Sequence, residues 1–144
     1  MEHDRINAME KESITQRNIL ILEDERQLAM AVRDALARRD FNPIVVGTVE
    51  DGLRQLENLG SVDVIWLDHY LLGTENGLDF VVKIKNDARW KNIPVFVVSN
   101  TAESGNIRSY IQLGVNNYYT KADNNISQII DDITYILKEG KHTS

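Results

Sequence analysis

Five short runs, four of them apolar and rich in β-branched residues and the fifth built around two tyrosines, recur along the chain, each followed by a stretch with helical periodicity. They are Asn18 to Leu22, Ile44 to Val46 after Pro43, Val62 to Leu67, the run opened by Pro94 and ending at Val98, and Asn116 to Thr120. Runs of this length and composition are those of buried strands. Strands that alternate with helices cannot pair as hairpins, so each crossover is a helix, the strands run parallel, and the connections are right-handed. The chain is therefore predicted to be an α/β protein with a doubly wound, five-stranded parallel sheet. Strand order 2-1-3-4-5 is the natural solution for a three-layer (βα)5 sandwich.

The intervening segments carry helical stripes. Leu28, Val32, Ala35 and Leu36 recur within Glu25 to Arg39, and Leu78, Val81, Val82 and Ile84 within Gly77 to about Ala88. Thr48 with Asp51 three residues on is a helix start of the capping-box type, and Gly60 closes that helix. Gly73 to Asn76 reads as a loop. A fourth helix is expected from about Glu103 to Leu113, ended by Gly114. The fifth carries Ile126, Ile129, Ile130, Ile133, Ile136 and Leu137 in one stripe. Met1 to Arg17 is polar with little apolar periodicity and reads as a flexible or weakly helical arm, or as the tail of an upstream domain. Residues 18–139 are expected to be the folded domain and 140–144 a short tail.

With 144 residues, 42% of them hydrophobic, there is enough chain for one domain with a real core and none for a second. No run approaches the roughly 20 apolar residues that a membrane span needs, and the N-terminus is polar; a cytoplasmic protein is expected. The chain has no cysteine, which excludes disulfides, thiolate chemistry and zinc held by sulfur. A formal charge of −6 disfavours an electrostatic grip on DNA or anionic lipid. The pair Arg38-Arg39 is too short to reverse that.

The strand ends carry the chemistry. Glu23 and Asp24 follow the first run, Asp68 the third, Ser99 the fourth and Lys121 the fifth. In an open parallel sheet the C-terminal strand ends share one edge, and order 2-1-3-4-5 sets the first and third strands side by side at the switch point. Three carboxylates, a hydroxyl and an ammonium then face one crevice of phosphate size. Carboxylates this close repel one another and raise each other's pKa unless a cation intervenes. An acidic residue at one strand end is ordinarily a solvated loop charge; the combination is what sets these apart.

From Asn18 to Glu139 the chain resembles the receiver domain of two-component response regulators. The resemblance is carried by Ile-Leu-Ile-Leu-Glu-Asp-Glu at 19 to 25, Val-Ile-Trp-Leu-Asp at 64 to 68 with Gly77 beyond, Ile-Pro-Val-Phe-Val-Val-Ser at 93 to 99, and Tyr-Tyr-Thr-Lys at 118 to 121. It implies that Asp68 accepts a phosphoryl group from a phosphohistidine on a histidine kinase or phosphotransfer protein. It implies Mg²⁺, or Mn²⁺, held directly by Asp24 and Asp68, through water by Glu23, and by the main-chain carbonyl of Tyr70. Mg²⁺ is a hard ion that takes oxygen ligands in an octahedron. Three carboxylates and one lysine leave two negative charges, which the ion cancels before the phosphoryl group brings its own. Lys121 and the Ser99 hydroxyl would meet phosphoryl oxygens, with Ser99 and Tyr118 as the switch pair. As Ser99 is drawn in, the Tyr118 ring would turn into the space behind it and alter the face of the fourth helix, fifth strand and fifth helix. That face would bind a downstream protein effector or a second copy of the chain.

The chain departs from the family pattern in three places. The loop after Asp68 is one residue longer than usual, with Leu72 where proline is common. Ala122 follows Lys121 in place of proline, so the bond between them is expected to be trans or an unusual cis one. Asn100 stands where a small residue is commoner, and there it either narrows access to the phosphoryl site or contacts the group through its amide. His69 reads as a solvent-facing rim residue, Trp66 as core and Trp90 as a packing residue at a helix end.

The expected function is a stand-alone receiver that signals by phosphorylation-dependent protein contact and is not an enzyme beyond assisting its own phosphorylation and dephosphorylation, since no output segment follows Glu139. A Mg²⁺-dependent phosphatase of the haloacid dehalogenase type also uses an aspartyl nucleophile after a strand. That class needs a second acid two residues on, where Tyr70 stands. A nucleotide-binding module lacks its glycine-rich loop here. A receiver-shaped interaction module that is never phosphorylated is the remaining alternative.

Overall fold

The computed structural model describes residues 16–100 and 104–143. The expected N-terminal arm lies almost wholly outside the described residues, as do Glu103 and the last residue of the tail. Five strands alternate with five helices: β1 (Arg17–Leu22), α1 (Arg26–Ala37), β2 (Phe41–Val46), α2 (Val49–Leu59), β3 (Val64–Leu67), α3 (Gly77–Lys85), β4 (Val95–Ser99), α4 (Ser104–Gln112), β5 (Asn117–Thr120) and α5 (Ile126–Thr143). All strand pairs are parallel, in the order β2-β1-β3-β4-β5. The predicted sheet and strand order are those observed.

Alternation along the strands divides the core into two layers. Ile19, Ile21, Val64, Trp66, Phe96 and Val98 point to the side covered by α1 and α5, where they meet Val32, Leu36, Ile129, Ile130 and Ile133. Leu20, Leu22, Ile65, Leu67, Val95 and Val97 point to the other, against Leu56, Phe80, Val81, Ile84 and Tyr110. The central strands are apolar on both faces, as a sheet covered on both sides requires. Trp66 is core, as expected, and Trp90 packs against the second layer under the Arg89 guanidinium, 4.2 Å above its ring.

Local signals set the helix ends. Thr48 Oγ1 accepts from the Asp51 amide at 3.0 Å, and Gly60 closes α2 with φ 76°. Before α3, the Asn76 side chain accepts from the Asp79 amide at 3.1 Å while the Asp79 carboxylate accepts from the Asn76 amide at 2.8 Å, a reciprocal cap that the loop reading of 73–76 missed. That helix stops at Lys85 rather than Ala88, and Asp87 then closes a turn on the Arg89 amide at 2.9 Å. Strand β2 starts three residues earlier than expected and contains Pro43. The strand lies at the sheet edge, where a missing amide costs no ladder bond. Among the described residues every peptide bond is trans, Lys121–Ala122 included. Among the described residues no helix is long and apolar enough to cross a membrane.

Candidate functional site

Backbone hydrogen bonds carry the strand ladders one step past the strand ends and so position the site. The Glu23 amide donates to Val46 O (3.0 Å), the Asp68 amide to Leu22 O (2.9 Å) and the Lys121 amide to Ser99 O (2.9 Å). Each functional side chain thus leaves from a main chain already held by its neighbour strand. The longer loop after Asp68 is anchored too. The Leu72 amide donates to Gly47 O at 3.0 Å, and Leu72 pairs with Thr48 in an isolated parallel bridge.

One oxygen from each of Glu23, Asp24 and Asp68 lies within 4.8 Å of the others. Glu23 and Asp68 are buried and Asp24 is exposed. Lys121 Nζ reaches between the two buried acids, 2.9 Å from Glu23 Oε1 as an ion pair and 3.2 Å from Asp68 Oδ2, to which it donates. The second Glu23 oxygen accepts from the Glu25 amide at 3.1 Å. Asp68 Oδ1 is buried and accepts no hydrogen bond from the described residues. Burial, reinforced by the Asp68 charge, pushes the Glu23 carboxyl up to about 7 against the pull of Lys121. Lys121 is itself raised above the ordinary lysine value, because its two carboxylate partners outweigh the burial that favours the neutral amine.

The donor set fits a hard divalent cation. Three carboxylates converge, one buried oxygen has no donor among the described residues, and burial with the Asp68 charge raises the Glu23 carboxyl; an oxygen-seeking ion would answer all three. The ligand atoms available are those of Glu23, Asp24 and Asp68.

The other sequence-predicted residues fall around this cluster. Ser99 is fully buried at the end of β4, opposite Thr120, and Asn100 beyond it is exposed. Tyr70 is 53% exposed, with its ring edge-on to His69 at 4.8 Å. Tyr118 is half-buried and tilted against Tyr110, the ring centroids 5.8 Å apart. His69 corrects the rim expectation: it is 5% exposed, and its Nδ1 lies 2.7 Å from the Tyr110 hydroxyl. A partner on α4, far along the chain, turned the ring inward, which no local pattern shows. Tyr110 itself went unnoticed in the sequence. Its only signal is its place three residues after Ile107 in a short helix whose Ile111 is exposed.

A five-stranded doubly wound sheet with clustered acids and a lysine at its C-terminal edge defines the CheY-like class of α/β protein. Residues 19–134 match the model of the response regulator receiver domain, and the chain belongs to that family, whose members are signalling modules of two-component systems. Among curated relatives, chemotaxis protein CheY1 of Helicobacter pylori is 25% identical over 105 residues, covering 72% of this chain and 83% of that protein. CheY-3 of Vibrio cholerae is 31% identical over 114 residues, covering 76% and 85%. Among solved structures, the phosphorylated cyanobacterial phytochrome response regulator RcpA superposes with a TM-score of 0.71 at 28% identity, covering 84% of this chain and 91% of that one. A CheY-like receiver domain protein from Methanospirillum hungatei shares the fold with a TM-score of 0.80 at 19% identity, covering 90% and 99%.

Proposed function

We propose that this chain is a phosphoacceptor switch in which Asp68 takes a phosphoryl group from a phosphohistidine of a histidine kinase or phosphotransfer protein. One observation carries the reading: Asp68 holds one oxygen against Lys121 while the other accepts no hydrogen bond from the described residues, amid two further carboxylates. The similar phytochrome response regulator is known in a phosphorylated form.

In the transfer, a carboxylate oxygen of Asp68 attacks phosphorus in line with the donor nitrogen. The P–O bond forms as the P–N bond breaks, and its electron pair stays on the imidazole that leaves. Mg²⁺, or Mn²⁺, bound by Asp24 and Asp68 with Glu23 acting through water and the Tyr70 carbonyl as a further ligand, would neutralise charge on the phosphoryl oxygens. Lys121 is already positioned at Asp68 and needs only to turn from Asp68 Oδ2 to an incoming oxygen. The buried Ser99 hydroxyl donates to another, and Tyr118 on β5 answers its movement. Asn100, exposed beside Ser99, governs access to the group. The output is a change in the α4–β5–α5 face that a protein effector or a second copy reads, in the cytoplasm and without DNA contact by this domain. Beyond promoting its own phosphorylation and dephosphorylation, the domain performs no catalysis.

The test is to incubate the protein with Mg²⁺ and a small phosphodonor and weigh it intact. One phosphoryl adduct in the wild type, lost in Asp68→Asn, is the expected result. A wild type that gains no mass would instead make this a receiver-shaped interaction module.

A further inference from the structure

The buried contact between His69 and Tyr110 joins the acceptor loop to α4 directly. His69 is the residue after Asp68, and its main chain is already fixed by the Gly77 amide, which donates to His69 O at 2.8 Å. Its ring is then fixed by the Tyr110 hydroxyl at 2.7 Å, and the two rings meet edge to face with centroids 5.7 Å apart. Tyr110 is fully buried on α4, and its other side lies against Tyr118 of β5. Gly77 shows how closely the hydroxyl is seated: a Cβ there would collide with Tyr110 Oη and would lie 2.8 Å from Asp68 O. A hydroxyl wedged between the acceptor loop and the start of α3 cannot follow one of them without moving the helix that carries it, since packed interiors shift between discrete arrangements rather than deforming smoothly.

We propose that Tyr110 is a positioning residue, a latch whose hydrogen bond to His69 transmits the state of Asp68 to α4 by a route separate from Ser99. The proposal rests on the phosphoacceptor reading above. Movement of the main chain at Asp68 and His69 pulls on Tyr110, and through it on α4 and on the ring of Tyr118. The route begins on the acceptor loop itself, whereas the Ser99 route begins on β4. The hydrogen bond of Tyr110 goes to His69 and not to an acid, so its loss should spare the chemistry and uncouple the response.

The experiment is amide hydrogen exchange across α4, read by mass spectrometry with and without Mg²⁺ and a small phosphodonor, alongside intact mass. In wild type, α4 exchange changes when the adduct forms. In Tyr110→Phe, the untreated protein should exchange about fivefold faster at α4 for loss of one buried hydrogen bond. The adduct should still form to the same extent, and the change in α4 on phosphorylation should be lost. His69→Leu should reproduce this and His69→Gln, which keeps a hydrogen-bonding group, should restore the response. The double variant Tyr110→Phe with His69→Leu should be no worse than either alone. An α4 response of wild-type size in Tyr110→Phe, or additive effects in the double variant, overturns the latch. Absence of any adduct in wild type overturns the phosphoacceptor reading instead. The latch is then decided by the untreated proteins, where unchanged α4 exchange in Tyr110→Phe refutes it.

Discussion

Lys121 donates to Asp68 Oδ2 across 3.2 Å, while Asp68 Oδ1 has no donor among the described residues. The two oxygens of one carboxylate are thereby given different work. One is held by a cation that can be handed on to an incoming anion; the other accepts no hydrogen bond from the described residues. The same ammonium also meets Glu23, so a single side chain offsets most of the repulsion within the metal-free site.

Replacing Lys121 tests that balance. Lys121→Ala leaves Glu23 and Asp68 buried side by side, and removing one partner of a buried ionic group costs about 3 kcal/mol. Urea denaturation in the presence of a chelator at neutral pH should show a loss of this order. A loss below about 1 kcal/mol would mean that the pair is already solvated and that the site is looser than the distances indicate.

Asp24→Asn should have effects of opposite sign with and without a divalent ion. In the chelated protein it removes one of three repelling carboxylates, so the thermal midpoint should rise. With Mg²⁺ the wild type should gain stability as a ligand binding only the folded state does, about 2.7 kcal/mol at a hundred times the Kd. The variant should gain much less. Equal Mg²⁺ shifts in the two proteins would exclude Asp24 as a ligand.

Gly77→Ala should be costly although the backbone there is ordinary. The added methyl group meets Tyr110 Oη and the carbonyl of Asp68, and forced overpacking of this kind costs about 1–3 kcal/mol. Placing the same change in Tyr110→Phe removes one of the two obstacles and should recover part of the loss. Purely additive destabilisation would show that the hydroxyl is not where the conflict lies.

Alkaline titration should divide the five tyrosines. Burial raises Tyr110 above the usual tyrosine value, helped by nearby negative charge, and burial raises Tyr119 likewise, helped by the Asp132 carboxylate to which its hydroxyl donates at 2.7 Å. A phenol that binds its proton more tightly when folded contributes stability that is whole below its unfolded pKa of about 10 and is lost as pH climbs beyond it. Tyrosinate absorbance should therefore show these two silent until the chain unfolds. Their ionisation while the circular dichroism stays native would contradict the burial.

Strand number, strand order and the four members of the charged cluster are legible in the sequence, because each depends on information held locally. A β-branched run closed by an acid announces a strand and its end, and parallel topology then dictates that such ends meet. Trp66 as core and Gly60 as a helix stop were readable for the same reason. The start of β2 was misplaced because Pro43 is a strand breaker everywhere except at an edge, and which strand is at the edge is a property of the sheet.

His69 and Tyr110 mark where reading along the chain ran out. One lies beside an exposed tyrosine in a polar loop and the other on a short helix of mixed exposure, forty-one positions apart. Periodicity and capping report on neighbours within a turn or two, and they gave fold class, element order and the residues bound for the crevice. Which nitrogen meets which hydroxyl, which Asp68 oxygen stays free, and that an imidazole turns inward rather than toward water follow from packing. Those choices are made by the free energy of burying polar groups with partners, and the partners are brought together only when the sheet and its helices close on one another.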